Sequence, residues 1–131
     1  MIGSRAVVED EAIATVLRLY IEGSATGDAA KLGEAFHEHA RTSGSMNGTR
    51  YDIPVADMIA MEERSPRNSD GRYTAHIMSI QQAGDVATAT IEEDGCWGTV
   101  SFTSFLSLVK FDDRWQIVTR VFAHVSGVLP S

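Results

Sequence analysis

Residues 100–111 read Val-Ser-Phe-Thr-Ser-Phe-Leu-Ser-Leu-Val-Lys-Phe, and their spacing decides the fold. The period is two, which is the mark of a strand. Apolar residues occupy both parities: Phe102, Leu106 and Leu108 point one way, while Phe105, Val109 and Phe111 point the other. A sheet with one face in water does not give this pattern. Helices can cover one face, and a second subunit is the simplest cover for part of the other.

The same rhythm continues on either side. Tyr73 to Gln82, Val86 to Glu93 and Trp115 to Val125 read as strands, with turns at Gly84-Asp85 and Asp112-Asp113. Gly95-Cys96-Trp97-Gly98 interrupts the series. In the last strand Val118 and Phe122 oppose Trp115, Ile117 and Val121. Sequential strands joined by such short turns must be antiparallel.

Upstream of Arg72 the period is helical. Ala12, Ile13, Val16, Leu17, Tyr20 and Ile21 form one apolar stripe, and acids at 9–11 suit the positive end of the helix dipole. Asp28 is placed to cap a short second helix, Ala29 to Phe36. Residues 41–51 predict small strands or a hairpin. Pro54 suits the entry to a third helix through Glu63, with Val55, Met58, Ile59 and Met61 on its apolar side. Ser65 to Gly71 reads as a loop. The expected class is α+β, three N-terminal helices packed on a curved antiparallel sheet.

The 131 residues predict one domain, 1–131, and 44% hydrophobic content suffices for a core. A net charge of −7 without any Lys/Arg run argues against nucleic acid as a partner. No apolar run reaches membrane-spanning length. The start of the chain lacks a secretory pattern. The lone Cys96 excludes an internal disulfide, so a reducing, cytoplasmic location is expected.

Three stretches carry a family resemblance: Leu19-Tyr20-Ile21-Glu22-Gly23, Thr26-Gly27-Asp28 and Ala35-Phe36-His37-Glu38-His39-Ala40-Arg41. Tyr73 to Ile80, Gly84 to Ala89, Phe105 to Lys110 and Arg114 to Val118 continue it. In order and spacing these resemble the nuclear transport factor 2-like superfamily, and most of all its putative lumazine-binding branch. The resemblance implies a cone: a curved sheet wrapped around helices, with a pocket inside and dimerisation through the sheet. The superfamily includes ketosteroid isomerase, scytalone dehydratase, polyketide cyclases and a kinase association domain, so the fold alone does not assign a function.

By the isomerase register Tyr20 falls on the oxyanion-donating tyrosine, but the general base falls at Gly44 and the second acid near Ser107. Neither is an acid, and proton abstraction requires a base within reach. Dehydratase-like chemistry would draw on Tyr20, His37, His76 and His124 with Glu92, Glu93 or Asp94.

His37-Glu38-His39 raises the question of a metal. On a helix the two histidines point about 200° apart, and no further ligand pair supports them, so no metal or cofactor is expected. His37 fits the negative end of the second helix, near the pocket mouth. Cys96 has no neighbour in sequence to activate it.

The expected function is binding of a small apolar molecule in the cone of a homodimer. Tyr20, Phe36, Met58, Met61, Trp97 and Phe122 are expected to line the pocket, and His37, Glu93 and Arg120 to make polar contacts. Trp97 suits either a pocket lid or the dimer interface. The alternatives are a cofactor-independent dehydratase, cyclase or isomerase, and a structural oligomerisation module with its cavity filled by Met58, Met61 and Phe122.

Overall fold

The computed structural model describes residues 9–129. Helix α1 (Asp10–Thr26) buries Ile13, Leu17, Tyr20 and Ser24, one stripe at helical spacing. It ends at Gly27, and helix α2 (Ala29–Ala35) begins at once because Asp28 caps it: its carboxylate accepts the N–H groups of Ala30 and Lys31 at 3.1 Å each. Strands β1 (Phe36–Met46) and β2 (Thr49–Pro54) form a hairpin, and helix α3 (Val55–Arg64) follows directly. Strands β3 (Thr74–Ala83), β4 (Val86–Cys96), β5 (Val100–Phe111) and β6 (Arg114–Ser126) complete the elements of the described residues.

All six strands form one curved sheet, in the order β2-β1-β6-β5-β4-β3. The last four are the expected antiparallel meander. The helices pack on its concave side, and Ile13, Leu17, Tyr20 and Leu32 meet Ile91, Leu106, Leu108 and Ile117 in the main core.

Three expectations need correction. The sheet is mixed, because β1 runs parallel to β6, and the β1–β2 hairpin separates the third helix from the first two. Residues 37–39 are strand: α2 stops at Ala35, and Phe36 is its C-cap and the first residue of β1. Their polar run lacked the alternation that marks a strand because they are half-buried or exposed beside a register shift between Phe36 and Arg41. The parity of β6 also inverts midway. Ser107 pairs with Thr119 and Leu108 with Ile117, so Val118 is an extra residue, a β-bulge. Trp115 and Ile117 therefore share the concave side with Arg120 and Phe122, and Val121 turns outward.

In β5 the two-sided reading agrees with the structure: Phe102, Leu106 and Leu108 are buried. On the convex side Phe105 is 56% exposed and its cross-strand neighbour Val121 50% exposed. Met78, Val86 and Val125 are exposed on the same sheet.

Candidate functional site

A cavity of about 250 Å³ lies between α3, the hairpin and the second half of the meander. Its wall is built from two stretches, 42–67 and 97–129. β1 supplies Thr42 and Met46, β2 supplies Tyr51 and Ile53, and α3 supplies Met58, Met61 and Glu62. The loop after α3 adds Ser65 and Arg67, β5 and β6 add Phe102, Arg120 and Phe122, and Leu129 closes one side. The space is worth about eight waters at ~30 Å³ each, the size of a one- or two-ring molecule. Phe102 meets Trp97 and Phe122 edge to face, at 6.0 and 5.6 Å between ring centroids.

Trp97 sits on the cavity wall, in the tight turn between β4 and β5. Its indole N–H donates to the Ser65 carbonyl at 2.9 Å and its backbone N–H to the Arg67 carbonyl at 2.8 Å. Gly95 makes that turn possible, with φ of 68° and the Arg72 carbonyl oxygen 2.1 Å from where a Cβ would stand.

Beneath the wall lies a buried ionic cluster. Glu93 is fully buried, and its Oε2 accepts Arg67 Nη1 at 2.6 Å, Tyr20 Oη at 2.9 Å and Tyr73 Oη at 3.0 Å. Its Oε1 accepts Ser104 Oγ at 3.0 Å. Arg67 turns its other edge to Glu62, with Nη2 donating at 2.6 Å and Nε at 3.0 Å to Oε2. Arg120 donates from Nε to Ser104 Oγ at 3.2 Å and from Nη1 to Thr42 Oγ1 at 3.0 Å, and it stacks 4.5 Å from the Phe122 ring centroid. Two carboxylates and two guanidiniums bring the formal charge to zero, as burial demands.

The shifts follow from this geometry. Burial pushes the Glu93 carboxyl up, but Arg67, Arg120 and the donors Tyr20 and Ser104 together bring it below the ordinary 4.5. Burial pushes the Tyr20 hydroxyl up to about 12, and the Tyr73 hydroxyl also rises, chiefly by burial. Both tyrosines are thus fixed as donors to a carboxylate. Burial likewise pushes the Cys96 thiol up to about 12, leaving it protonated and a poor nucleophile.

Of the expected pocket residues, Met58, Met61, Trp97, Arg120 and Phe122 are on the cavity wall. Tyr20 and Glu93 lie one side chain behind it, joined to the wall through Arg67. Phe36 is core, packed edge to face on Tyr20 at 5.8 Å. His37 is away from the cavity lining: its Nδ1 accepts the His39 N–H, and its ring packs on Phe111 at 5.1 Å. His124 accepts the Asn47 N–H. Among the described residues, the cavity lining holds no histidine, and no three His, Cys, Asp or Glu side chains converge as metal ligands.

Sequence reasoning missed Arg67, the centre of the cluster, along with Glu62, Tyr51, Ile53 and Phe102 as wall residues. One signal was legible. Glu62 falls on the inward stripe of α3 with Val55 and Met58, and an acid there requires a partner.

Position 44, where the isomerase base would stand, has no room for a side chain. Gly44 pairs with Phe122, and a Cβ would lie 2.2 Å from the Phe122 carbonyl oxygen and 2.9 Å from its ring. Gly44→Asp is expected to part β1 from β6 and cost about 1–3 kcal/mol by overpacking, without supplying a base. A urea unfolding midpoint equal to the parent's would refute this.

An α+β fold with three helices packed on a curved six-stranded sheet and a cavity between them defines a nuclear transport factor 2-like protein. The chain belongs to the putative lumazine-binding family, whose model matches residues 8–123. Its fold is similar to that of a nuclear transport factor 2-like protein of unknown function from Methylobacillus flagellatus, 25% identical, covering 94% of this chain and 97% of that one at a TM-score of 0.82. A Shewanella baltica protein, also of unknown function, is 27% identical over 95% of this chain and 100% of its own, with a TM-score of 0.79. The chain is also 25% identical to the aldolase FrzH of a Cladobotryum species, over 87% of this chain and 90% of that one.

Proposed function

We propose that the protein binds a small, largely apolar molecule in this cavity, as a homodimer joined through the convex side of the sheet. The observation that carries the reading is the open space of about 250 Å³ walled by Met58, Met61, Trp97, Phe102 and Phe122. Such concave, mostly aromatic sites with a few convergent polar groups are the usual form of a ligand pocket. The same space argues against a purely structural module, since Met58, Met61 and Phe122 line it and leave it open. The exposed pair Phe105 and Val121 supports the dimer. The lone Cys96, buried and held as a thiol, suits a reducing, cytoplasmic compartment. Among the described residues, no helix is long and apolar enough to cross a membrane.

A second reading, in which the bound molecule also reacts, is favoured by the similarity to an aldolase. It would rely on the Arg120 and Glu62 side of the wall, because among the described residues no histidine–carboxylate pair lines the cavity. Dehydratase, cyclase and isomerase chemistry belong to the same reading.

Tetralin, a two-ring hydrocarbon, tests the binding reading. It is expected to saturate one site per subunit and to change the fluorescence of Trp97, with the change absent in Trp97→Phe. No saturable change in the parent protein overturns the reading. Native mass spectrometry of the fresh protein is expected to give a dimer, and Phe105→Arg to give a monomer that still binds tetralin. A monomeric parent contradicts the sheet interface.

A further inference from the structure

The guanidinium of Arg120 is fixed but incompletely used. Nε is committed to Ser104 and Nη1 to Thr42, while Nη2 has no hydrogen-bond acceptor among the described residues. Its ion-pair partner, Glu93 Oε1, is 3.9 Å away, beyond hydrogen-bond reach. Nη2 is also not sealed in. Among the described residues, no Arg120 nitrogen is both inaccessible and without a partner. Arg120 is only 3% exposed and lines the cavity, so the space that Nη2 borders is the cavity. Inside a largely apolar cavity, a ligand that supplies an acceptor to this N–H gains a directed hydrogen bond that a hydrocarbon cannot make.

Charge decides which acceptor. Arg67 is shared between Glu62 and Glu93, and Arg120 balances the remaining negative charge. A ligand carboxylate on Nη2 would make the buried site net negative and stand within a few ångströms of Glu93. A neutral carbonyl accepts the same N–H without adding charge. Its ring system would lie against Phe122, Phe102 and Trp97, which already fix the plane of the guanidinium through the Phe122 stack.

We infer that the ligand is a one- or two-ring compound bearing a neutral carbonyl group, whose oxygen accepts from Arg120 Nη2. The inference rests on the cavity being the ligand site, and its test separates the two. Three probes of similar shape are titrated against the parent protein: tetralin, 1-tetralone and 1-naphthoate. The ketone is expected to bind at least tenfold tighter than the hydrocarbon, and the carboxylate more weakly than the ketone. The carbonyl stretch of bound 1-tetralone is expected to move to lower wavenumber, the signature of an accepted hydrogen bond. In Arg120→Met the ketone's advantage over tetralin is expected to vanish. The parent protein's probe series and the infrared shift stand even if that variant does not fold.

Equal affinities for ketone and hydrocarbon, or an unshifted carbonyl stretch, overturn the inference and leave the cavity as a plain apolar site. Tightest binding by 1-naphthoate overturns it in favour of an anion site. If no probe binds, the binding reading itself fails and the inference fails with it.

Discussion

Glu93→Gln is expected to lower the unfolding free energy by about 3–5 kcal/mol, the usual cost of removing one partner from a buried ion pair. The amide can keep several of the acceptor contacts with Tyr20, Tyr73 and Arg67 by turning its NH₂ toward Ser104. It cannot supply the charge. Arg67 and Arg120 are then opposed by Glu62 alone, in a site with almost no exposure to water. The parent protein should also show a distinct acid limb. Glu93 has its folded pKa held below the unfolded value of 4.5. Its contribution is therefore fully present above that value and is lost as pH falls through the lower, folded pKa. In Glu93→Gln this part of the acid limb disappears. Urea unfolding at a series of pH values from 7 down to 3 checks both points. A variant within about 1 kcal/mol of the parent would mean that the cluster is not held by charge.

Much of the architecture was legible because the meander obeys simple periodicity. The residue bounds of β5, the turns on either side of it and the cap at Asp28 follow directly from residue type and spacing. Sequence reading failed where one residue breaks a period. Val118 inserts a bulge, and every inward or outward assignment beyond it in β6 inverts. Arg120 and Phe122 reached the cavity in spite of the parity assigned to that strand. The site was half legible for a related reason. Apolar wall residues such as Met58 and Trp97 announce themselves by composition. A buried ion network is set by distant partners, and separations of 26 residues for Arg67–Glu93 and 73 for Tyr20–Glu93 leave no local pattern. Arg67 sits among Ser, Pro, Asn, Asp and Gly, in a stretch that reads as a solvated loop. What tethers it is backbone bonding, its N–H to the Ser24 carbonyl at 3.0 Å and its carbonyl to the Trp97 N–H at 2.8 Å.

Arg67→Met should act on pH dependence through Glu93 as well as on stability. Removing the guanidinium strips Glu62 of its two-pronged partner and Glu93 of its closest cation. The loss of stability at neutral pH is expected at or above about 3–5 kcal/mol, because two carboxylates are left inside rather than one. For Glu93 the balance then shifts toward burial. Burial is the largest single influence on its carboxyl and raises its pKa, while Arg67 is the largest opposing one. Without Arg67 the folded pKa is expected to rise from its lowered position. The folded variant then binds more protons than the folded parent, so its deficit against the parent narrows as pH falls. Urea unfolding at pH 7.5, 6.0 and 5.0 reads this directly, and a profile parallel to the parent's would sink the argument. A triple variant, Glu62→Met, Arg67→Met and Glu93→Leu, separates charge from packing. It removes the three-residue network at once, though it leaves Arg120 without its counter-ion, so it should recover only part of the loss. Changing Arg120→Leu as well should recover more, since well-packed apolar groups commonly replace a complete buried ion network at little cost. Recovery of stability in that fourfold variant, together with loss of the preference for 1-tetralone over tetralin, would place the network's value in ligand recognition rather than in folding.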